Sequence, residues 1–295
     1  MSNKNKQNFG GPWTEEKLQM FKGYLDAYLT VLKYKSFNKV YIDAFAGTGS
    51  ININSNDEQA VIAGSAKRAL SSDLKFDHYY FIEFSKKKCE ELQIMVNSEF
   101  PDLADRVTVH CGDANKCLSD IIDSLDWRIT RCLLFIDPFA TAFKWESLEK
   151  VAGTKGIDLW YLFPYSALNR MLKRHGNIDD SWKKRINSLL GTDDWEKEFY
   201  NDSPQLNLFA TEPEQEKDAD LAKITEYILQ RLRKVFPRVA SKAYVFENNS
   251  KTPMFLFCFA VSNTSKSAQD IAIRIASYII DYHNAIKAYN DYKDA

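Results

Sequence analysis

Apolar positions along the chain follow two periods that take turns. The first is helical: Leu18, Phe21, Leu25, Tyr28 and Leu32 recur at the spacing of one helix face, with Thr14 placed to cap it and Glu15 and Glu16 in the first turn. Continuous apolar runs then occupy residues 40–43, 78–83, 106–110, 132–137 and 157–163, rich in β-branched and aromatic side chains. Helical patterns lie between them, at residues 64–70, 85–100 (Ser85 as cap; Cys89, Leu92, Val96 and Phe100 inward), 114–125 and 145–153. Strands that are apolar on both faces and alternate with helices imply a parallel sheet covered on both sides. The polar stretch 51–59 reads as a loop.

The rhythm breaks after residue 164. Residues 165–200 read as helical and basic, and 201–220 as a Pro-, Asn- and acid-rich loop, clearest at 211–216. A helix is expected over 221–235, strands over 243–246 and 254–261, and a closing helix from Ala268 to about Ala288. The expected fold is α/β and Rossmann-like: a seven-stranded, mostly parallel sheet with the last strand antiparallel and helices on both faces. Residues 13–295 would form one domain, with 165–236 a helical insertion on the substrate side and 1–12 a disordered tail.

Length and composition agree with this. The 295 residues allow one large domain, and 45% hydrophobic with 27% charged residues is the balance of a folded, soluble chain. No apolar run approaches the roughly 20 residues that span a bilayer, and the polar N-terminus lacks a signal-peptide core. A cytoplasmic protein without membrane contact is expected. The net charge of −1 argues against a chain that coats nucleic acid nonspecifically, though not against a local basic face. Cys89, Cys111, Cys117, Cys132 and Cys258 form no CxxC pair and read as reduced, buried thiols with a structural role. The four histidines show no ligand spacing, so no metal is expected.

The candidate chemistry sits where apolar runs end. Asp43, Glu83, Asp113 and Asp137 all stand at or just past the C-terminal ends of strands, the edge at which open α/β sheets bind ligands. In Asp43-Ala44-Phe45-Ala46-Gly47-Thr48-Gly49 the glycines permit a tight turn and close backbone approach. Only one G-x-G is present, and the preceding acid would repel a pyrophosphate. An amino-acid ammonium joined to a nucleoside suits this turn better, with Asp43, Phe45, Ala46, Gly47 and Gly49 around it. Glu83 can accept from both ribose hydroxyls. Asp113, followed by Ala114, can reach an adenine amino group or cap the next helix.

Asp137-Pro138-Phe139 is similar to the (Asp/Asn)-Pro-Pro-aromatic motif of amino-group methyltransferases with one proline missing, which makes these three the catalytic candidates. Tyr165, Ser166, Asn169 and Arg170 offer stacking and hydrogen bonding at the rim of the same pocket. Lys183, Lys184 and Arg185 beside Trp182 fit nucleic-acid contact, or else a solvated helix face.

Taken together, residues 12 to 275 resemble the three-Cys-motif partner (TcmP) family. The resemblance rests on Trp13, residues 41–49, Gly64-Ser65-Ala66, Phe81-Ile82-Glu83, residues 135–139, 163–170 and 190–195. It implies a class I methyltransferase fold with S-adenosylmethionine (SAM) as cofactor. It further implies methyl transfer, to which the motif at Asp137 adds a nucleic-acid base amine (RNA or DNA) as acceptor. The alternative is a non-catalytic SAM- or nucleotide-binding protein working beside a radical-SAM-like three-Cys-motif protein.

Overall fold

The alternating apolar runs and helical patterns become a sheet with helices on both faces. A computed structural model describes residues 12–55, 58–202 and 215–294. Helix α1 (Pro12–Leu32) leads into β1 (Asn38–Asp43), β2 (Ser50–Ser55), β3 (Glu58–Ala63), α2 (Ser65–Leu70), β4 (His78–Glu83) and α3 (Lys86–Glu99). A 3-10 turn at Pro101–Arg106 precedes β5 (Val107–Cys111), α4 (Ala114–Ser124), β6 (Thr130–Ile136), α5 (Trp145–Gly153) and β7 (Ile157–Phe163). Then come α6 (Tyr165–Met171), α7 (Asp180–Leu190), α8 (Trp195–Phe199), β8 (Tyr200–Asp202), β9 (Gln215–Lys217) and α9 (Leu221–Val235). The chain closes with β10 (Arg238–Val239), β11 (Tyr244–Glu247), β12 (Pro253–Val261) and α10 (Lys266–Asp294).

The main sheet runs β10-β12-β7-β6-β1-β4-β5, with β11 also on β12. Strands β5, β4, β1, β6 and β7 are mutually parallel, and β12 joins β7 antiparallel. This is the expected Rossmann-like sheet with its last strand reversed. It has eight strands rather than seven because the outer edge of β12 is shared by two short pieces. β10 pairs with Ala260 and Val261, and β11 with residues 253–257. Period-two alternation divides the core. Ile42, Leu134 and Leu159 face α4, α5, α7 and α9, while Tyr41, Phe135 and Trp160 face α1, α2, α3 and α10.

Several expectations are corrected. Residues 51–59 are not a loop: β2 and β3 pair antiparallel from Ser50–Ala63 to Ser55–Glu58. Their alternation of Ile51 and Ile53 with Asn52 and Asn54 is a strand period. Helix α1 begins at Pro12, ahead of Thr14, whose buried hydroxyl lacks a hydrogen-bond partner and caps nothing. Pro12, placed in the expected tail, is helical, and the rest of that tail lies outside the described residues. Of the loop expected at 211–216, Gln215 and Glu216 belong to β9, which pairs with β8, and 211–214 lie outside the described residues. Ser85 occupies a cap position without a side-chain cap bond. Cys111, expected among buried thiols, is exposed.

Candidate functional site

The connections diverge between β1 and β6: the chain steps from β1 out to β4 and β5, and from β6 the other way to β7. A crevice opens at such a switch point, outside the carboxyl ends of the strands. Ala44 N–H donates to the Phe135 carbonyl across it at 3.0 Å. Asp43 and Asp137 stand on either side.

Asp43 is fully buried. It accepts from the Tyr41 hydroxyl and the Phe45 N–H, each at 3.2 Å. Burial pushes its carboxyl from 3.8 up to about 6, against the pull of the Ser65 hydroxyl and Phe45 N–H and with help from the charge of Asp137. On β7, half-buried Asp158 accepts from the Tyr24 hydroxyl at 2.7 Å, and desolvation by the surrounding core pushes it up to about 7.

Both carboxyls bind a proton more tightly in the folded chain than in the unfolded one. Their contribution to stability is therefore present below the unfolded value and lost as pH rises through about 6 and about 7. The expected result is that Asp43→Asn and Asp158→Asn are more stable than wild type at pH 8, with flatter stability profiles between pH 4 and 8. Urea midpoints across that range test it, and variants that lose stability in parallel with wild type refute it.

The turn after β1 needs its glycines. Gly47 has φ +62 and Gly49 φ +78, the left-handed region. A Cβ on Gly47 would project into open space, whereas one on Gly49 would lie 2.4 Å from the Met95 methyl carbon. Gly47 thus presents bare backbone outward, and Gly49 lets the turn press onto α3. Phe45 packs edge-on against Phe143 with centroids 6.2 Å apart, and Ala46 is buried, its N–H on the Ile82 carbonyl.

Glu83 ends β4 and is tied to that same turn. Its Oε2 accepts from Gly47 N–H at 3.1 Å and its Oε1 from Ser85 N–H at 2.8 Å. Two backbone donors fix the carboxylate while leaving further lone pairs for a ligand. Next to it the Phe84 ring is 79% exposed. Asp113 caps α4 by accepting from Lys116 N–H at 3.1 Å, with Ala114 buried behind it. Asn115 binds the loop after β6: its amide donates to the Ala142 carbonyl and accepts from Lys144 N–H and the Ser147 hydroxyl, all at 2.9 Å.

Asp137 is not an open carboxylate. It forms an ion pair with Lys17 of α1, the two side chains being 27% and 4% exposed, and the Lys17 ammonium also lies 5.0 Å from the Trp13 ring centre. Pro138 is buried and Phe139 exposed.

The α6 residues separate. Tyr165 is buried in the core rather than open on a rim, and Asn169 accepts from Lys217 of β9. Ser166 is half-buried, while Arg170 is exposed and its guanidinium turns back to the Ser166 carbonyl. The basic stretch is largely neutralised from within. Lys173 pairs with Asp179, Arg174 with Glu216, Lys183 with Glu196 and Lys223 with Asp218. Lys183 is thus spent on a neighbour, and Lys184 and Arg185 are exposed.

Lys17 and Phe84 are the residues that sequence reasoning missed. Lys17 shares a helix face with Met20, Phe21, Tyr24 and Tyr28, all buried, so a charge on an inward stripe was its signal. Phe84 follows the strand-ending acid directly. Among the described residues no group of three or more His, Cys, Asp or Glu side chains could hold a metal, and no helix is long and apolar enough to cross a membrane.

No family model matches the chain, and no curated protein matches it. Solved structures do resemble it. A Legionella pneumophila protein of the DUF519 family is 12% identical over 88% of this chain and 91% of its own, with a TM-score of 0.45. Spermidine synthase from Thermotoga maritima is 12% identical over 86% of this chain, which spans 62% of the synthase, at 0.43. An S-adenosylmethionine-dependent methyltransferase from Clostridium acetobutylicum is 13% identical over 82% and 92%, at 0.36. The fold is defined by the strand order itself rather than by these distant likenesses.

Proposed function

We propose that the chain binds SAM at the β1–β4 edge and transfers its methyl group. One observation carries this reading: Glu83, fixed by two backbone N–H groups, is joined through one of them to the glycine turn that begins at a buried acid. A ribose diol, an amino-acid ammonium and close backbone approach are thereby provided for side by side. Asp43 and the Gly47–Gly49 turn hold the methionine part, Glu83 the ribose, and Phe84 with Asp113 and Ala114 the adenine. The cofactor supplies a methyl group on a sulfonium, open to direct displacement. The protein's own part is to orient the two reactants and exclude water, where positioning carries much of the rate.

The acceptor we propose is an amine on a nucleic-acid base, stacked on Phe139 beside Asp137 and Pro138, with residues 165–236 on the substrate side. Stacking rather than charge would supply most of the affinity, because Lys173, Arg174, Lys183 and Lys223 are already paired. Binding should then depend weakly on salt, with a slope set by exposed cations such as Lys184, Arg185 and Arg170. Labelled SAM incubated with RNA and with DNA tests the reading. Label in nucleic acid is expected, and absence of SAM binding by titration calorimetry overturns it.

The Lys17–Asp137 pair favours a second reading, since an occupied carboxylate is poorly placed to accept from an amine. There the chain binds SAM without turnover, as partner to a radical-SAM-like protein. Cofactor binding with no label in nucleic acid or protein would select it.

A further inference from the structure

Helix α10 buries one face against the body through Ala272, Ala276 and Ile280. A second stripe faces away from the body, except at its first residue, Ile275, which is half-buried against the core. Ile275, Tyr278, Tyr282, Ala285, Tyr289 and Tyr292 follow one another at intervals of three and four residues, the a/d spacing of a coiled-coil seam. The four tyrosines are 70%, 53%, 58% and 82% exposed, and Tyr278 and Tyr282 are stacked with centroids 6.2 Å apart. Isolated exposed aromatics need no explanation, but a contiguous aromatic seam does.

We propose that this seam is a self-association surface on which a second copy of the chain lays its own α10 antiparallel. The pattern is self-complementary about a point between residues 283 and 284. Reversing it sets Tyr278 against the copy's Tyr289, Ile275 against the copy's Tyr292 and Tyr282 against the copy's Ala285, so that each a position meets a d position. The small side chain opposite Tyr282 lets the helices close. A two-fold pairing of this kind uses one patch twice and ends at a dimer.

The area suffices. Tyrosines this exposed contribute on the order of 500 Å² per chain, or about 1,000 Å² over two copies before the flanking stems are added, which reaches the lower range of specific interfaces.

Light scattering coupled to size exclusion, run on the full chain over a range of concentrations, tests the proposal. Wild type is expected to approach twice the chain mass, and Tyr282→Glu/Tyr289→Glu to remain monomeric with an unchanged circular dichroism spectrum. Should the glutamates unfold the helix, Tyr282→Ser/Tyr289→Ser serves instead. A monomeric wild type overturns the proposal, including one that gains mass only on adding another protein. So does a dimer that survives both variants.

Discussion

Glu83→Ala is expected to weaken SAM binding by on the order of a hundredfold, the equivalent of about 3 kcal/mol for two hydrogen bonds to a charged acceptor. The loss arises twice over. The ribose hydroxyls forfeit their acceptor, and Gly47 N–H forfeits the bond that sets the turn beneath the methionine part. Glu83→Gln keeps the shape but loses the charge and turns one acceptor into a donor, so an intermediate loss of about tenfold is expected. Phe84→Ala should cost about 1–3 kcal/mol of adenine stacking without disturbing the turn. Titration calorimetry with SAM and its demethylated product measures all three. Unchanged affinity in Glu83→Ala would place the cofactor elsewhere. A fall in affinity matched by a fall in melting temperature would mean that the turn had collapsed.

How far this site was legible in the sequence depends on the range of each interaction. Asp43, Glu83, Asp113 and Asp137 could be placed on one edge because each closes an apolar run, and parallel strands carry their ends to the same side. The conformations at Gly47 and Gly49 were equally local. Helix α9 lies where its periodicity put it, at Leu221–Val235. What escaped was set by contacts between distant segments. Nothing within ten residues of Asp137 announces Lys17, which lies 120 positions away. The run of basic residues from 170 to 185 resembled a nucleic-acid face until Glu196 and Glu216, further along the chain, folded back onto Lys183 and Arg174. Charges count on a surface only after their partners are known. The β2–β3 hairpin is a different case, since its period-two signal was local and its asparagines made it read as a polar loop.

Lys17→Met should therefore be more informative than any change in the basic stretch. It removes the partner of a carboxylate that is only 27% exposed, and an uncompensated buried charge costs about 3–5 kcal/mol. The partial exposure of Asp137 puts the expected loss near the lower end, about 3 kcal/mol. Asp137→Asn should cost more, because the ammonium it strands is 4% exposed. Combining the two leaves no charge to strand, so the double variant should be more stable than the sum of the singles by at least about 2 kcal/mol. Urea unfolding of the four proteins closes that cycle, and additive losses would show that the pair contributes no coupling. Transfer rates, measured also on Asp137→Ala, then separate two roles for the Asp137 carboxylate. If Asp137 accepts from the substrate amine, Asp137→Ala abolishes turnover, Asp137→Asn, whose amide oxygen still accepts, retains much of it, and SAM affinity, held by Glu83 and the glycine turn, stays near wild type in both. If the carboxylate serves only to seat α1 over the sheet, turnover follows stability, and the double variant recovers both together.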